Sequence, residues 1–176
     1  LAQRGIELGI RLPRLKQART YGETLQPDTR DIVCEAWGVE IADSYSSEEL
    51  GYIALQCPEH EHYHLQAESL IVEVLDAEGR PCRPGQVGQV TVSMLHNFAM
   101  PLLRYASGDY AEVGEPCACG RGLPVLKRIA GRQRNMLRRP DGVRYWPSFP
   151  IEAWRRAAPV LQLQLVQDAP DHIEAR

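Results

Sequence analysis

Lysine is almost missing from this 176-residue sequence: Lys16 and Lys127 are the only two, and every other basic residue is an arginine. A mechanism that needs a catalytic lysine therefore has two candidates. No apolar run approaches the ~20 residues that a membrane-spanning helix needs, and the first residues lack the features of a signal peptide. The net charge of −3 provides no basic field for nucleic acid or an anionic membrane. These absences predict a cytoplasmic protein with neither partner.

An even, regularly spaced set of cysteines is also missing. The chain has five, an odd number at irregular intervals, and no secretion signal accompanies them. This pattern favours free thiols or metal ligands over a disulfide framework.

Apolar residues make up 44% of the chain, enough for the core of one domain or slightly more. The stretch QPDTRDIVCEAWG predicts a helix, because it opens on Pro27 and Asp28, has apolar residues at helical spacing and ends at Gly38. About seven short strand patterns follow, separated by polar or Gly/Pro-rich turns. They include MPLLRY and DYAEV, on either side of a small-residue loop. The sequence thus predicts a strand-rich α/β fold with a mostly antiparallel, barrel-like or mixed sheet.

A second, smaller α+β unit is expected after Gly131. Its first element is a hairpin with the turn signal Asp141–Gly142, followed by a helix in FPIEAWRRAAP and a strand in VLQLQLVQ. The first residue is not Met and the sequence stops soon after this last strand pattern. We therefore expect a fragment with sequence missing at both ends.

Three stretches together resemble the acyl-adenylate-forming ligases, and within them the phenylacetate–CoA ligase-like branch. They are DSYSSEELG (43–51), PLLRYASGD (101–109) and GRQRNMLRRPDGVRYWP (131–147), in the order and rough spacing of that family. The resemblance implies that residues 1–130 form the C-terminal part of the large, AMP-binding lobe. Residues 131–176 would be the hinge and the start of the small C-terminal lobe.

In such ligases the first stretch binds ATP and magnesium. The resemblance implies that Tyr45 packs against adenine, that Ser46 adjoins the nucleotide and that Glu49 holds the Mg²⁺ that bridges the phosphates. A carboxylate with phosphate oxygens is a suitable ligand set for Mg²⁺. Glu48 competes with Glu49 for this role. The same residues also fit a helix-capping box, in which case they are an acidic helix start.

The second and third stretches are expected to bind the ribose. By resemblance, Asp109 accepts hydrogen bonds from both ribose hydroxyls, Gly108 lets the backbone turn near the ligand, and Arg132 contacts the sugar. Arg134 falls at the pivot between the lobes. Without the ligand, the Gly-Asp pair would be an ordinary β-turn. Neither lysine of the chain stands where the adenylation lysine of the family belongs, so we expect the chain alone to be inactive.

Cysteines and histidines predict a metal site. Cys117 and Cys119 flank one residue, and CPEHEHYH supplies Cys57 followed by His60, His62 and His64. Three thiolates and one imidazole would complete a closed, structural Zn²⁺ site. The branch resemblance favours His64, although His62 and His60 stay open. The alternative is a set of buried thiols and exposed histidines without metal.

Seven basic residues against one acid lie between Lys127 and Arg144, and they suit a polyanion such as ATP or coenzyme A. The leading hypothesis is part of an ATP-dependent carboxylate–CoA ligase, which uses ATP, Mg²⁺ and coenzyme A on a small organic acid and has a structural Zn²⁺. Whether it forms a homodimer stays open. Two alternatives remain: a non-catalytic, zinc-stabilised β module that binds a partner protein, and an adenylate-forming homologue in surface-polysaccharide biosynthesis.

Overall fold

A computed structural model describes residues 1–147 and 163–176 of the chain. The helix expected in FPIEAWRRAAP lies outside these residues, as does the start of VLQLQLVQ. Within the described ranges, no helix has the length and apolar character needed to cross a bilayer.

Two helices and a strand form the N-terminal part: α1 (Ala2–Glu7), β1 (Ala18–Tyr21) and α2 (Pro27–Trp37). The predicted helix is confirmed as α2, which ends at Gly38 in the left-handed conformation (φ 67°) that glycine adopts without strain. α1 was not expected from the sequence. It packs closely on α2, since a Cβ added to Gly5 would lie 3.3 Å from the ring of Trp37.

One sheet of eight strands dominates the fold. Besides β1, its strands are β2 (Ile41–Ser47), β3 (Gly51–Gln56), β4 (Tyr63–Leu65), β5 (Leu70–Leu75), β6 (Val87–Met94), β7 (Tyr105–Val113) and β8 (Val125–Arg132). They are ordered β1-β2-β3-β4-β8-β7-β6-β5. β1 and β2 are parallel and all other neighbours are antiparallel. The strand-rich α/β prediction is therefore confirmed.

The sheet is strongly curved. β2 and β7 are four positions apart in the strand order, which would separate them by roughly 19 Å in a flat sheet. The Tyr45 hydroxyl on β2 nevertheless lies 2.8 Å from a carboxylate oxygen of Asp109 on β7. The two strands must therefore face each other across the inside of the curl. The core cluster occupies this interior and draws on seven strands, with Ile53, Leu126, Val90 and Val92 almost fully buried.

A buried carboxylate helps to hold β2 in place. Asp43, 6% exposed, accepts 2.6 Å hydrogen bonds from the hydroxyls of Thr20 on β1 and Tyr63 on β4. Since Asp43 and Tyr45 are two residues apart on one strand, their side chains share the inner face of the sheet. These bonds satisfy a charge whose burial would otherwise be costly, and they fix the strand that carries Tyr45.

The strand predicted in DYAEV is confirmed as part of β7, whereas the strand predicted in MPLLRY was wrong. Residues 100–104 are in no strand, and the small residues expected to form a loop belong to the single strand β7. Pro101 has no N–H for a ladder, and Arg104 adopts a positive φ of 49° that interrupts extended backbone. Arg104 instead pairs with Glu73 of β5 at 3.3 Å.

After the sheet, a short 3₁₀ turn (Gln133–Asn135) leads to the predicted hairpin of β9 (Leu137–Arg138) and β10 (Arg144–Tyr145). The indole N–H of Trp146 donates to the Arg132 carbonyl at 2.9 Å, and its ring lies 5.3 Å from that of Tyr110 on β7. The hairpin therefore contacts the end of the sheet. A last hairpin contains β11 (Leu165–Ala169) and β12 (His172–Ala175).

Candidate functional site

Three of the residues singled out from the sequence meet at one point. Asp109 receives a 2.8 Å hydrogen bond from the Tyr45 hydroxyl on its Oδ2 atom, and its Oδ1 atom lies 3.3 Å from the Arg132 Nε. Asp109 and Arg132 are also partners in the ladder of β7 and β8. Asp109 is 6% exposed, whereas about half of the Arg132 side chain, 52%, is open to solvent. A buried carboxylate is thus paired with a cation that is half open to solvent.

A bulge in β7 presents Asp109. Ala106 pairs with Thr91 and Tyr110 pairs with Gln89, so three residues of β7 oppose a single residue of β6. Gly108 has a φ of 79°, which a residue with a side chain rarely adopts. The stretch ASGD is therefore a bulge inside one strand, where the sequence had suggested a turn between two.

Ser107 stabilises this bulge, although no sequence signal singled it out. Its hydroxyl donates to the Val90 carbonyl at 3.1 Å and accepts from the Asp109 N–H at 3.2 Å. It also lies 3.5 Å from the Tyr45 hydroxyl. Since this hydroxyl uses both its donor and an acceptor position, it fixes the backbone on which Asp109 stands.

Tyr45 is part of the core. Its side chain is 8% exposed and belongs to the cluster inside the curved sheet. Burial, more than any other effect, raises the pKa of Tyr45 well above its ordinary value, and the charge of Asp109 adds to the increase. The phenol therefore keeps its proton and acts as a hydrogen-bond donor.

Glu49 lies in the turn between β2 and β3 and is exposed. Its own backbone amide and the Ser47 hydroxyl lower its pKa, and the charge of Arg132 also contributes. Arg132 is thus within electrostatic reach of Glu49 while it contacts Asp109. Ser46 is half-buried and pairs with Tyr52 across the β2–β3 hairpin. The structure therefore brings Tyr45, Asp109 and Arg132 together, with Glu49 in the turn at the end of the strand that carries Tyr45.

Cysteines and histidines form a second cluster. One ligand atom from each of Cys57, His62, His64 and Cys117 lies within 4.8 Å of the others. The two sulfurs, from the end of β3 and from the β7–β8 connection, are 3.9 Å apart. Cys119 joins the cluster through its Sγ atom, 3.3 Å from the Nε2 of His64. The four residues expected to bind metal, Cys57, His64, Cys117 and Cys119, all lie in this cluster, and His62 is an additional donor.

Hydrogen-bond donors surround the Cys119 and Cys117 sulfurs. The pKa of Cys119 is lowered to about 6, chiefly by a hydrogen bond from the Arg121 backbone N–H. The Arg121 guanidinium also donates to the Cys119 sulfur, at 3.6 Å. The Cys119 N–H points to Cys117 Sγ at 3.4 Å. Two buried ring nitrogens, Nε2 of His62 and Nδ1 of His64, have no hydrogen-bond partner among the described residues. Buried unpaired nitrogens and sulfurs that receive N–H groups are features of a metal site.

Lys127 is engaged elsewhere. With Arg128 it pairs with the buried Glu112, at 2.8 and 2.7 Å. These contacts, the Lys127 hydrogen bond foremost, lower the pKa of Glu112. The three residues form a structural ion network on β7 and β8.

One curated relative matches the chain in sequence: a phenylacetate–coenzyme A ligase of Thermus thermophilus is 35% identical over 113 residues. The match covers 61% of this chain and 25% of the relative, so the chain spans about a quarter of that protein's length. No protein-family model matches.

Solved structures with the same fold include two CoA ligases. A 2-hydroxyisobutyryl-CoA ligase in an open conformation, in complex with 2-HIB-AMP and CoA, superposes with a TM-score of 0.69 and 25% identity, over 83% of this chain and 36% of that one. An anthranilate CoA ligase in complex with anthranoyl-AMP gives a TM-score of 0.54 and 22% identity, over 76% and 27%.

Proposed function

We propose that this chain, as a member of the superfamily of acyl-adenylate-forming ligases, provides the ribose- and magnesium-binding side of the ATP site in an acid–thiol ligase. Such an enzyme joins a carboxylic acid to AMP with release of pyrophosphate, and then transfers the acyl group to a thiol. The carrying observation is the convergence of Tyr45, Asp109 and Arg132 from three strands, with Glu49 in electrostatic reach.

Asp109 is the proposed ribose ligand. Each carboxylate oxygen has two lone pairs, so the hydrogen bond from Tyr45 and the ion pair with Arg132 leave at least two acceptor positions for the vicinal hydroxyls of a ribose. Hydrogen bonds to a charged carboxylate are stronger than neutral ones, and they require a fixed geometry to select a diol. The bulge and the Ser107 hydroxyl provide that geometry.

Glu49 is the proposed magnesium ligand. It is exposed, and the effects that lower its pKa keep it ionised at neutral pH. Mg²⁺ prefers carboxylate, phosphate and water oxygens, and when bound it neutralises the charge of the triphosphate. Arg132 would add positive charge beside Asp109. Glu48 is exposed and adjacent, and serves as the natural comparison.

A catalytic lysine is not available in this region. Lys127 is paired with Glu112, and an ammonium held by a buried carboxylate is a poor phosphate ligand. We therefore assign nucleotide binding to this chain by itself and no adenylation. The acceptor we propose is coenzyme A, which the neighbouring 2-hydroxyisobutyryl-CoA ligase structure contains. We also propose that the lobe boundary lies at Gly131 and that the protein is cytoplasmic.

Zinc is the proposed occupant of the cysteine–histidine cluster. Bonds of about 2.3 Å to sulfur and 2.0 Å to nitrogen place the donors of a tetrahedral zinc roughly 3.4 to 3.8 Å apart. The observed pairs, 3.9 Å between Cys57 and Cys117 and 3.3 Å between Cys119 and His64, lie within about 0.1 Å of the ends of that range. Four of the five donors would fill a tetrahedral site and leave no open position, so the metal would be structural and would tie the β3–β4 turn to the β7–β8 connection.

Titration of the purified chain with ATP, with and without Mg²⁺, tests the proposed function. We expect binding that strengthens when Mg²⁺ is present. A chain that binds zinc but neither ATP nor AMP at millimolar concentration would overturn the proposal, and would instead favour the non-catalytic β module.

A further inference from the structure

Strand β4 connects the cysteine–histidine cluster to the nucleotide side of the sheet. Tyr63 stands between His62 and His64, two donors of the cluster, so bonds to a metal would fix the backbone on both of its sides. Its side chain points away from that of His64, because successive residues of a strand face opposite sides of a sheet. The Tyr63 ring is 8% exposed and belongs to the core cluster inside the curl.

The Tyr63 hydroxyl contacts the strand that carries Tyr45. It donates a 2.6 Å hydrogen bond to Oδ2 of Asp43 on β2. A second contact lies beside it, since the side-chain oxygen of Gln56 accepts from the Asp43 backbone N–H at 2.9 Å. Gln56 directly precedes Cys57, another donor of the cluster. Two residues that adjoin metal donors therefore hold Asp43, one at the carboxylate and one at the backbone.

Asp43 has a further contact that is independent of the cluster. Its Oδ1 accepts from the Thr20 hydroxyl at 2.6 Å, and Thr20 is also its partner in the parallel ladder of β1 and β2. Because the Asp43 carboxylate is only 6% exposed, loss of either hydroxyl would leave a buried charge short of a hydrogen bond. Only the Tyr63 hydroxyl, however, belongs to a residue flanked by metal donors. The two contacts can therefore separate an effect of the metal from a general effect on Asp43.

We propose that Tyr63 is a positioning residue that couples the cysteine–histidine cluster to the nucleotide site: through Asp43 its hydroxyl holds β2 in place, so that the chain with Zn²⁺ bound has the higher affinity for an adenine nucleotide. Metal bonds fix the β3–β4 turn, and the turn fixes the Tyr63 hydroxyl. β2 then carries Tyr45 and leads to Glu49. This coupling rests on the proposed nucleotide site, and by linkage the nucleotide must raise the Zn²⁺ affinity by the same factor.

Competition with a chelator measures the Zn²⁺ affinity of the purified chain, with and without AMP at one concentration that saturates every variant. Capture of Zn²⁺ by AMP itself is then the same for every variant and cancels in the comparison. We expect AMP to raise the Zn²⁺ affinity of wild type roughly 5-fold. Tyr63→Phe, which keeps the ring and removes the hydroxyl, should reduce this effect to less than about twofold. Thr20→Val is the matched control, because it removes the other hydroxyl from Asp43 at nearly constant size, and it should keep the effect.

Gln56→Met removes the second contact to Asp43, should also reduce the effect, and serves if Tyr63→Phe folds poorly. An AMP effect of equal size in wild type, Tyr63→Phe and Gln56→Met would overturn the inference, since metal and nucleotide would then be linked only through the stability of the whole fold. A loss as large in Thr20→Val as in Tyr63→Phe would overturn it too, because any weakening of the contacts to Asp43 would then suffice.

Direct titration of AMP into the zinc-loaded chain separates this coupling from the proposed function. If wild type does not bind AMP, the proposed function fails. If wild type binds AMP but its Zn²⁺ affinity is the same with and without the nucleotide, the nucleotide site stands and the coupling is wrong. Wild-type protein that binds AMP and no Zn²⁺ would likewise overturn the coupling alone.

Discussion

The Tyr45 hydroxyl and the Asp109 carboxylate are 64 residues apart in the chain and 2.8 Å apart in space. Their bond spans the interior of a sheet in which three strands separate β2 from β7. It is a direct measure of how strongly the sheet curves, and it brings two of the sequence motifs into one site. The account of function depends on this contact and on the Arg132 ion pair beside it.

Glu49→Gln should weaken ATP binding in the presence of Mg²⁺ by roughly 10-fold, because it removes a charged oxygen ligand from the cation. AMP binding, which needs no cation, should change little. Calorimetric titrations with both nucleotides measure the difference. Glu48→Gln is the matched control, and a larger ATP defect in the control than in Glu49→Gln would reassign the magnesium ligand.

Cys57→Ser should abolish zinc binding and lower the melting temperature, because a structural zinc contributes directly to folding free energy. Wild-type protein purified without added metal should contain about one zinc per chain by elemental analysis. Cys34→Ser, at an exposed position of α2, should retain the metal. Wild-type protein with less than about 0.2 zinc per chain would contradict the assignment.

Glu112→Gln should reduce the free energy of unfolding at pH 7 by roughly 1–2 kcal/mol. We expect no larger loss because Lys127 and Arg128 are more than half exposed, so that solvent weakens their attraction to Glu112. The pKa of Glu112 is lowered in the folded state, so its stabilisation is complete above the ordinary glutamate value of 4.5 and is lost as the pH falls through the folded value. Urea titrations from pH 7 to pH 3 should therefore show wild type and variant converging in acid. Glu115→Gln, an exposed control, should differ from wild type by less than about 0.5 kcal/mol at each pH. A Glu112→Gln defect that persists undiminished at pH 3 would show that the ion network is not its cause.

Gly131→Ala should disturb the contact between the sheet and the hairpin of β9 and β10. A Cβ at this position would lie 2.7 Å from the Trp146 ring, and the φ of 127° is unfavourable for alanine. We expect a loss of about 1–3 kcal/mol in unfolding free energy and a change in tryptophan emission. Gly79→Ala, where φ is 77° and no atom lies within 4 Å, isolates the backbone cost and should leave the emission unchanged. Identical behaviour of the two variants would mean that Trp146 does not pack on Gly131 in solution.

The parts of this structure that sequence predicts well are those fixed by neighbouring residues. α2 begins and ends where its local signals place it, and the Asp141–Gly142 turn forms its hairpin. The stretch ASGD shows the limit, because small residues and a glycine with positive φ suit a turn and a bulge equally. Only pairing with β6, a distant partner, decides between the two.

In the candidate site, too, local motifs identify residues, whereas contacts between separate parts of the chain cannot be predicted from them. Motifs identified Tyr45, Asp109 and Arg132, yet the Tyr45–Asp109 bond depends on sheet curvature and could not be inferred from spacing. Ser107 lies inside a motif but makes its contacts to Val90 and to its own strand, which only the fold reveals. For the metal cluster, Cys-x-Cys and the histidine run indicated donors, while their relative positions decided that His62 joins them.

Calorimetric titration of AMP into wild type and Asp109→Asn tests whether the Asp109 carboxylate binds the ribose. Asparagine keeps the size of the side chain and removes the negative charge that Tyr45 and Arg132 contact and that the ribose hydroxyls are proposed to contact. Asp168→Asn, which alters an exposed carboxylate in the last hairpin, is the control. We expect AMP affinity to fall at least roughly 10-fold in Asp109→Asn and to be unchanged in the control. Equal AMP affinity in wild type and Asp109→Asn would contradict this role of Asp109.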